Sequence, residues 1–306
     1  LPASVEVSPA TVDQERLVVL ADAGVERISM GVESFDKDDL KSLGRPQKIA
    51  RVEAALQEIR DSKVPRLNVD LIYGTANESL ESWMYSVDQA LAWQPEEIFI
   101  YPLYIRPLTG LGKKQRKHSD NERLKSYFAA RERILNAGYT QSSMRMFVRD
   151  NTSGQSGKYR CQEDGMIGLG AGARSYTQNL HYSSNYAVAK SQIKGIIQDY
   201  NKRSNEDFAK ADYGVELGIS DQQRRYVLLS LLQIQGLSFN DYHEKFKSDV
   251  IADLPQLLLL EKYDLANINS SSHIKLTDKG ISYSDMIGSW LFSKTMKDLM
   301  GAWIWK

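Results

Sequence analysis

Over the first hundred residues, short apolar runs with period-two alternation are separated by longer stretches of helical spacing. Residues 4–7, 27–32, 67–73 and 97–104 read as strands. Residues 11–23, 36–43, 48–62 and 78–92 read as helices. The first of these is capped by Thr11 or Ser8, carries Pro9 in its first turn and stops at Gly24; the second is capped by Asp36. Strands and helices alternating at this interval predict an α/β fold with a parallel sheet and right-handed crossovers.

The pattern then changes. Residues 106–120 form a loop rich in Gly, Lys and Arg, 121–136 a helix ended by Gly138, 140–148 a strand and 150–157 a polar loop. The segment Gly165 to Ser175 is apolar, dense in glycine and expected to pack tightly. It lacks the Lys-Ser/Thr ending of a phosphate loop, so close backbone packing is its better reading. From about Ala189 helices dominate, over 189–201, 221–235, 239–246 and 250–260. A small hairpin at 268–276 and a last helix opened by Thr277-Asp278-Lys279-Gly280 follow. Helix–helix–helix–hairpin is the outline of a winged helix. The expected domains are therefore 1–189 and 190–306.

Composition narrows the functional classes. Lys+Arg and Asp+Glu both number 39 in 306 residues, which speaks against a generally basic nucleic-acid binder. No apolar run approaches the ~20 residues of a membrane-spanning helix, so no membrane partner is expected. The single cysteine, Cys161, excludes an internal disulfide and an all-cysteine metal site within this sequence. With no signal-peptide pattern, the expected compartment is reducing cytoplasm. His118, His181, His243 and His273 are scattered without ligand spacing, so no residue is assigned a metal-binding or a catalytic role.

Four polar residues stand at or near strand ends. Glu6 reads as an exposed strand carboxylate. Glu33, directly after a strand, suits a helix cap or a ligand group. Arg45 suits a loop cation. Asp70 lies between Val69 and Leu71 in a strand expected to be buried on both faces, where a carboxylate needs hydrogen-bond donors. Glu33, Arg45 and Asp70 together predict one polar site at the carboxyl edge of the sheet. Carboxylates accept from hydroxyl and amino groups and a guanidinium forks a carboxylate, so the site suits a zwitterionic small molecule.

These segments resemble the oxygen-independent coproporphyrinogen III oxidase-like branch of the radical S-adenosylmethionine (SAM) enzymes. Glu6 in Val-Glu-Val-Ser-Pro looks like the family's third-strand Glu, and Gly31-Val32-Glu33-Ser34-Phe35 is similar to its fourth-strand Gly-Val-Gln-Ser-Phe. Gly44-Arg45, Asn68-Val69-Asp70-Leu71-Ile72-Tyr73-Gly74, Ile100-Tyr101-Pro102-Leu103 and Gly170-Ala171-Gly172-Ala173 follow in the family's order, and Leu276-Thr277-Asp278-Lys279-Gly280 is similar to its small C-terminal domain. The resemblance implies a SAM site lined by Glu6, Glu33, Arg45 and Asp70, with Leu103 and Arg174 also touching it. It implies a partial (β/α)6 TIM-like barrel, here lacking its first two units, plus the winged-helix-like domain.

Two departures stand out. Glu33 occupies a position where the family has Gln, and an ionised Glu cannot donate as an amide does. The Cys-x-x-x-Cys-x-x-Cys motif that holds the family's [4Fe-4S] cluster has no counterpart, so its ligands are expected upstream of Leu1 and the isolated chain is expected to be unstable or inactive. What the resemblance implies is a radical SAM oxidation of a small-molecule substrate, with a tetrapyrrole such as a porphyrinogen as the candidate and an electron donor as partner. A haem-binding chaperone of the same family is the alternative; its usual His-Asn-x-x-Tyr-Trp is replaced here by Tyr159-Arg160-Cys161-Gln162-Glu163-Asp164. A winged-helix DNA-binding regulator is the third, opposed by the neutral charge. Arg106, Lys113, Lys114, Arg116 and Lys117 read as a solvated loop that could also meet an acidic substrate.

Overall fold

The computed structural model describes residues 2–45, 47–75, 77–105, 119–149, 160–186, 190–269 and 272–302. The basic loop residues Arg106, Lys113, Lys114, Arg116 and Lys117 lie outside them. Contacts divide the described residues into two compact units, one ending at Arg149 and one starting at Arg160. The division thus falls before the position near 190 that the helical composition suggested.

The first unit runs β1 (Ala3–Val7), α1 (Gln14–Asp22), β2 (Val25–Glu33), α2 (Lys37–Ser42), α3 (Ile49–Asp61), β3 (Arg66–Tyr73), α4 (Leu80–Ala92), β4 (Glu97–Pro102), α5 (Asp120–Asn136), β5 (Tyr139–Gln141) and β6 (Met146–Arg149). Its sheet has the order β1-β2-β3-β4-β6-β5. The first four strands are parallel, and β4–β6 and β6–β5 are antiparallel. The single strand expected over 140–148 is therefore a hairpin, because Ser142 and Ser143 turn the chain with their N–H groups on the Met146 carbonyl. The expected caps also shift. Asp13 caps α1 by accepting from Arg16 N at 2.8 Å, while Ser8 and Thr11 close their own turn ahead of it.

Period-two alternation gives this sheet two unlike faces. Ile28, Met30, Val32, Leu67, Val69, Leu71, Ile98 and Ile100 are buried on one. Tyr73 continues that face and meets Trp83 of α4 and Tyr127 of α5, with ring centroids 5.5 and 6.4 Å away. The other face carries Glu6, Arg27, Ser29, Asn68, Asp70, Glu97, Phe99 and Tyr101, aligned by the parallel register Glu6↔Ser29↔Asn68↔Glu97 and Gly31↔Asp70↔Phe99. The Asp70 strand, expected to be buried on both faces, is apolar on one face and polar on the other, where Asn68 is buried and Asp70 half-buried.

The second unit holds an antiparallel meander, β7 (Arg174–Tyr176), β8 (Leu180–Ser183) and β9 (Tyr213–Glu216), which sequence reading missed. Its glycine-dense lead-in packs closely where expected: a side chain at Gly168 would meet the Arg174 carbonyl oxygen at 2.4 Å. Ile167 and Leu169 there are nonetheless exposed. Helices Lys190–Asn201, Ile219–Leu231 and Phe239–Phe246 follow, and a three-stranded sheet joins Leu237–Ser238, His273–Leu276 and Ala266–Asn269. The helix expected over 250–260 is broken at Pro255 into Val250–Asp253, a 3-10 turn and Leu258–Lys262, since proline has no N–H to continue the ladder. Val227, Leu231, Tyr242, Leu257, Ile274 and Leu291 form the core. Arg224 and Arg225 are half-buried within this unit. Arg224 donates to the Leu291 carbonyl at 3.1 Å, and Arg225 lies 5.0 Å from the Tyr176 ring centroid.

Candidate functional site

On the polar side of the sheet, acids come from three neighbouring strands, Glu6 from β1, Glu33 from the end of β2 and Asp70 from the middle of β3. Glu33 closes β2 beyond a bulge, in which Gly31 pairs with Asp70 and Glu33 with Leu71. Its backbone has φ +68°, and Ser34 N donates to the Val32 carbonyl at 2.8 Å, closing a three-residue turn around it. A non-glycine residue in this region costs about 1 kcal/mol, a local strain that clusters at functional sites. The turn leaves the Glu33 carboxylate buried.

Arg45 reaches that carboxylate from the end of α2, with Nη2 3.6 Å from Oε1. The helix stops because Gly44 takes φ +68°; Gly44 N then bonds the Lys41 carbonyl and Arg45 N the Leu40 carbonyl, which fixes where the chain leaves. The Arg45 side chain is 60 % exposed and the Glu33 side chain 11 %, so the pair joins a solvated cation to a sheltered anion. Burial raises the Glu33 carboxyl above its ordinary value; Arg45 opposes that, and Asp70 and Glu6 add to it.

Asp70 is half-buried on β3 and accepts from Ser29 Oγ at 2.8 Å and Asn68 Nδ2 at 2.7 Å. Asn68 Nδ2 also donates to Ser29 Oγ at 2.7 Å, and its Oδ1 is buried with no partner among the described residues. Burial raises the Asp70 carboxyl; Asn68, Ser29 and Arg27 oppose this, and Glu6 adds to it. Glu6 is exposed on β1 and acts on both other acids. Three acids from three successive strands therefore share one field, with one guanidinium at its rim.

Of the six residues singled out from sequence, the structure brings Glu6, Glu33, Arg45 and Asp70 together. Leu103 is buried just past β4, its N–H on the Tyr73 carbonyl at 2.8 Å. Arg174 is exposed on β7 of the second unit, so the cluster described here is built without it. Sequence reading passed over Arg27, Ser29, Asn68, Glu97, Tyr101 and Arg145. The alternation Arg27-Ile28-Ser29-Met30-Gly31 and Glu97-Ile98-Phe99-Ile100-Tyr101 was the available signal. Arg27 donates to Glu97 Oε2 at 2.6 Å and to Ser4 Oγ at 3.0 Å. Cys161 is half-buried in the second unit, where burial raises its thiol, and no group of three or more metal-ligating side chains occurs among the described residues.

The profile described as the radical SAM superfamily matches residues 2–90, the segment that contains Glu6, Glu33, Arg45 and Asp70. The oxygen-independent coproporphyrinogen III oxidase of Pseudomonas aeruginosa is 24% identical over 297 residues, covering 90% of this chain and 61% of that protein. The structure of coproporphyrinogen III oxidase from Escherichia coli superposes with a TM-score of 0.74 at 21% identity, covering 95% of this chain and 69% of that one. The chain is thus similar to the radical SAM superfamily over residues 2–90 and, along most of its length, to coproporphyrinogen III oxidases. The heme chaperone of Haemophilus influenzae is also similar, 34% identical over 139 residues, which are 45% of this chain and 36% of that protein. The chain thus spans under two thirds of both these curated relatives. No helix among the described residues is long and apolar enough to cross a membrane.

Proposed function

We propose that the acid cluster of the first unit binds SAM and that the protein is a radical SAM oxidoreductase acting on a small molecule of tetrapyrrole class. The observation that carries this reading is the convergence of Glu6, Glu33 and Asp70 from β1, β2 and β3, with Arg45 3.6 Å from Glu33. The donor set fits SAM. Carboxylates accept from ribose hydroxyls and an amino group and attract a sulfonium, while Arg45, mostly exposed, forks a carboxylate. Leu103, in the same unit, is proposed as a further contact. When bound, SAM supplies the radical chemistry for which the family is named; these residues hold and orient it.

The cluster half of the cofactor pair does not fit the residues present. A [4Fe-4S] cluster takes cysteine thiolates and this sequence has one cysteine, so no step is assigned to an electron donor or a cluster here. The same reading takes the parallel strands as part of a barrel, and the helices and hairpin of the second unit as a winged-helix-like domain.

SAM titration by calorimetry tests the proposal. Arg45→Ala and Asp70→Ala each remove a charge-assisted contact worth about 1.5–3 kcal/mol, so each is expected to weaken SAM binding roughly 10- to 100-fold. Unchanged affinity in both variants would overturn the assignment. The relationship to a heme chaperone favours a second reading, haem carriage. A stoichiometric Soret complex without SAM turnover would select it.

A further inference from the structure

Ser29, Asn68 and Asp70 close a hydrogen-bonded ring of side chains within the polar face. Parallel pairing sets Ser29 of β2 beside Asn68 of β3, and the alternation of a strand puts Asn68 and Asp70 on the same side. Both amide hydrogens of Asn68 are used there: Nδ2 donates to Ser29 Oγ and to Asp70 Oδ1, each at 2.7 Å. The hydroxyl proton of Ser29 goes to Asp70 Oδ2 at 2.8 Å. Each carboxylate oxygen therefore receives one donor, and an ionised carboxylate keeps further lone pairs for a ligand. Ser29 and Asn68 are buried, whereas Asp70 is only half-buried and has an open side.

A purely structural role does not account for this ring. Asn68 is fully buried and its Oδ1 has no partner among the described residues, so the position carries an unmet acceptor that an apolar side chain of similar size would not. What the amide adds is a pair of donors, one of them aimed at a carboxylate. Hydrogen bonds to an ionised group favour its charged form and fix its direction. Asp70 needs both effects, because burial opposes its ionisation and Glu6 on β1 adds to that, with Arg27 on β2 acting the other way. Arg27 is itself bound to Glu97 at 2.6 Å. Glu33 at the end of β2 and Tyr101 on β4 also feel the Asp70 charge.

We infer that Ser29 and Asn68 are positioning residues for the cofactor: they supply a donor to each oxygen of Asp70 and so turn its open side toward a hydroxyl or amino group of SAM. This inference rests on the proposed SAM site. Each residue acts through Asp70, and no bond is made or broken at either. The same donors favour the charged carboxyl, so the site stays competent at lower pH than burial alone would allow.

SAM calorimetry at pH 6 and pH 8.5, beside urea denaturation without ligand, tests this. Ser29→Ala removes one donor from Asp70 and is expected to weaken SAM binding roughly tenfold at pH 6, the size of one lost hydrogen bond to a charged group. That loss is expected to shrink roughly threefold or more by pH 8.5, where the carboxyl ionises despite the missing donor. Glu6 and Glu33 are present in both proteins, so the ratio of affinities reports Asp70. Ser29→Thr keeps the hydroxyl and is expected to restore binding at both pH values. Asn68→Leu, close to the amide in size, is expected to weaken SAM binding roughly tenfold at pH 6 while its urea midpoint stays at or above that of the wild type. Without ligand, the pH at which the wild type and Asp70→Asn part in urea midpoint is expected to move up when both carry Ser29→Ala. A Ser29→Ala loss that is equal at both pH values overturns the inference, as does unchanged SAM affinity in both Ser29→Ala and Asn68→Leu. A wild-type protein that binds no SAM overturns the cofactor reading instead; the ligand-free shift, present or absent, still decides whether Ser29 controls Asp70.

Discussion

Single buried acids are held where ionisation is costly, and the sign of that cost fixes their pH behaviour. Burial is the main cause that raises Glu33, Asp70 and Glu78. An acid raised by folding holds its proton to higher pH than in the unfolded chain. Its contribution to stability is then full below the unfolded value and lost as pH rises through the folded one. Glu78 is the clearest case, raised from 4.5 to about 7 with Asp39 adding to burial and the Gly74 N–H, at 2.9 Å, opposing it. Glu78→Gln keeps an acceptor for that N–H and removes the charge. Between pH 4.5 and 8 the variant is expected to gain about 3 kcal/mol on the wild type in urea denaturation. Parallel pH profiles for the two proteins would contradict this. On the proposed reading, a bound sulfonium favours ionised Glu33 and Asp70, so SAM affinity should rise with pH through their raised titration. Calorimetry across that range would show it, and a flat profile would not fit.

Elements place these residues by how they end. Arg45 is where it is because α2 stops at Gly44 with positive φ. Gly44→Ala meets nothing within 4 Å, so its cost is conformational, about 1 kcal/mol, and should appear as a lower Tm together with weaker SAM binding. Leu56, fully buried on α3, should cost about 2–5 kcal/mol when truncated to Ala, measured by urea denaturation. Most elements around the site were legible in sequence, because parallel strands and amphipathic helices have different periodicities and the cap Asp36 announces a helix start. The 139–149 hairpin was not, since its turn is made of Ser-Ser rather than Gly or Pro. The β7–β9 meander was hidden for another reason: its strands of three and four residues are too short for a period to show.

Across the whole molecule, equal numbers of acidic and basic residues leave no net charge to keep copies apart near neutrality. Polyethylene glycol precipitation is expected to reach its lowest threshold near pH 7, where the formal charge is zero, and to rise on both sides. On the sheet, however, the acids Glu6, Glu33 and Asp70 share one field. By itself the sequence determined the α/β class, the strand ends that carry Glu6, Glu33 and Asp70, and the turn that carries Arg45, because these follow from local periodicity and capping. Tertiary structure decided the rest. Strand order and register brought three acids into one field and set Arg145 against Tyr101, residues 44 apart in sequence whose neighbourhood no local pattern records. It also gave the sheet a polar face as well as an apolar one, because which side of a strand meets helices is settled only when the strands have paired.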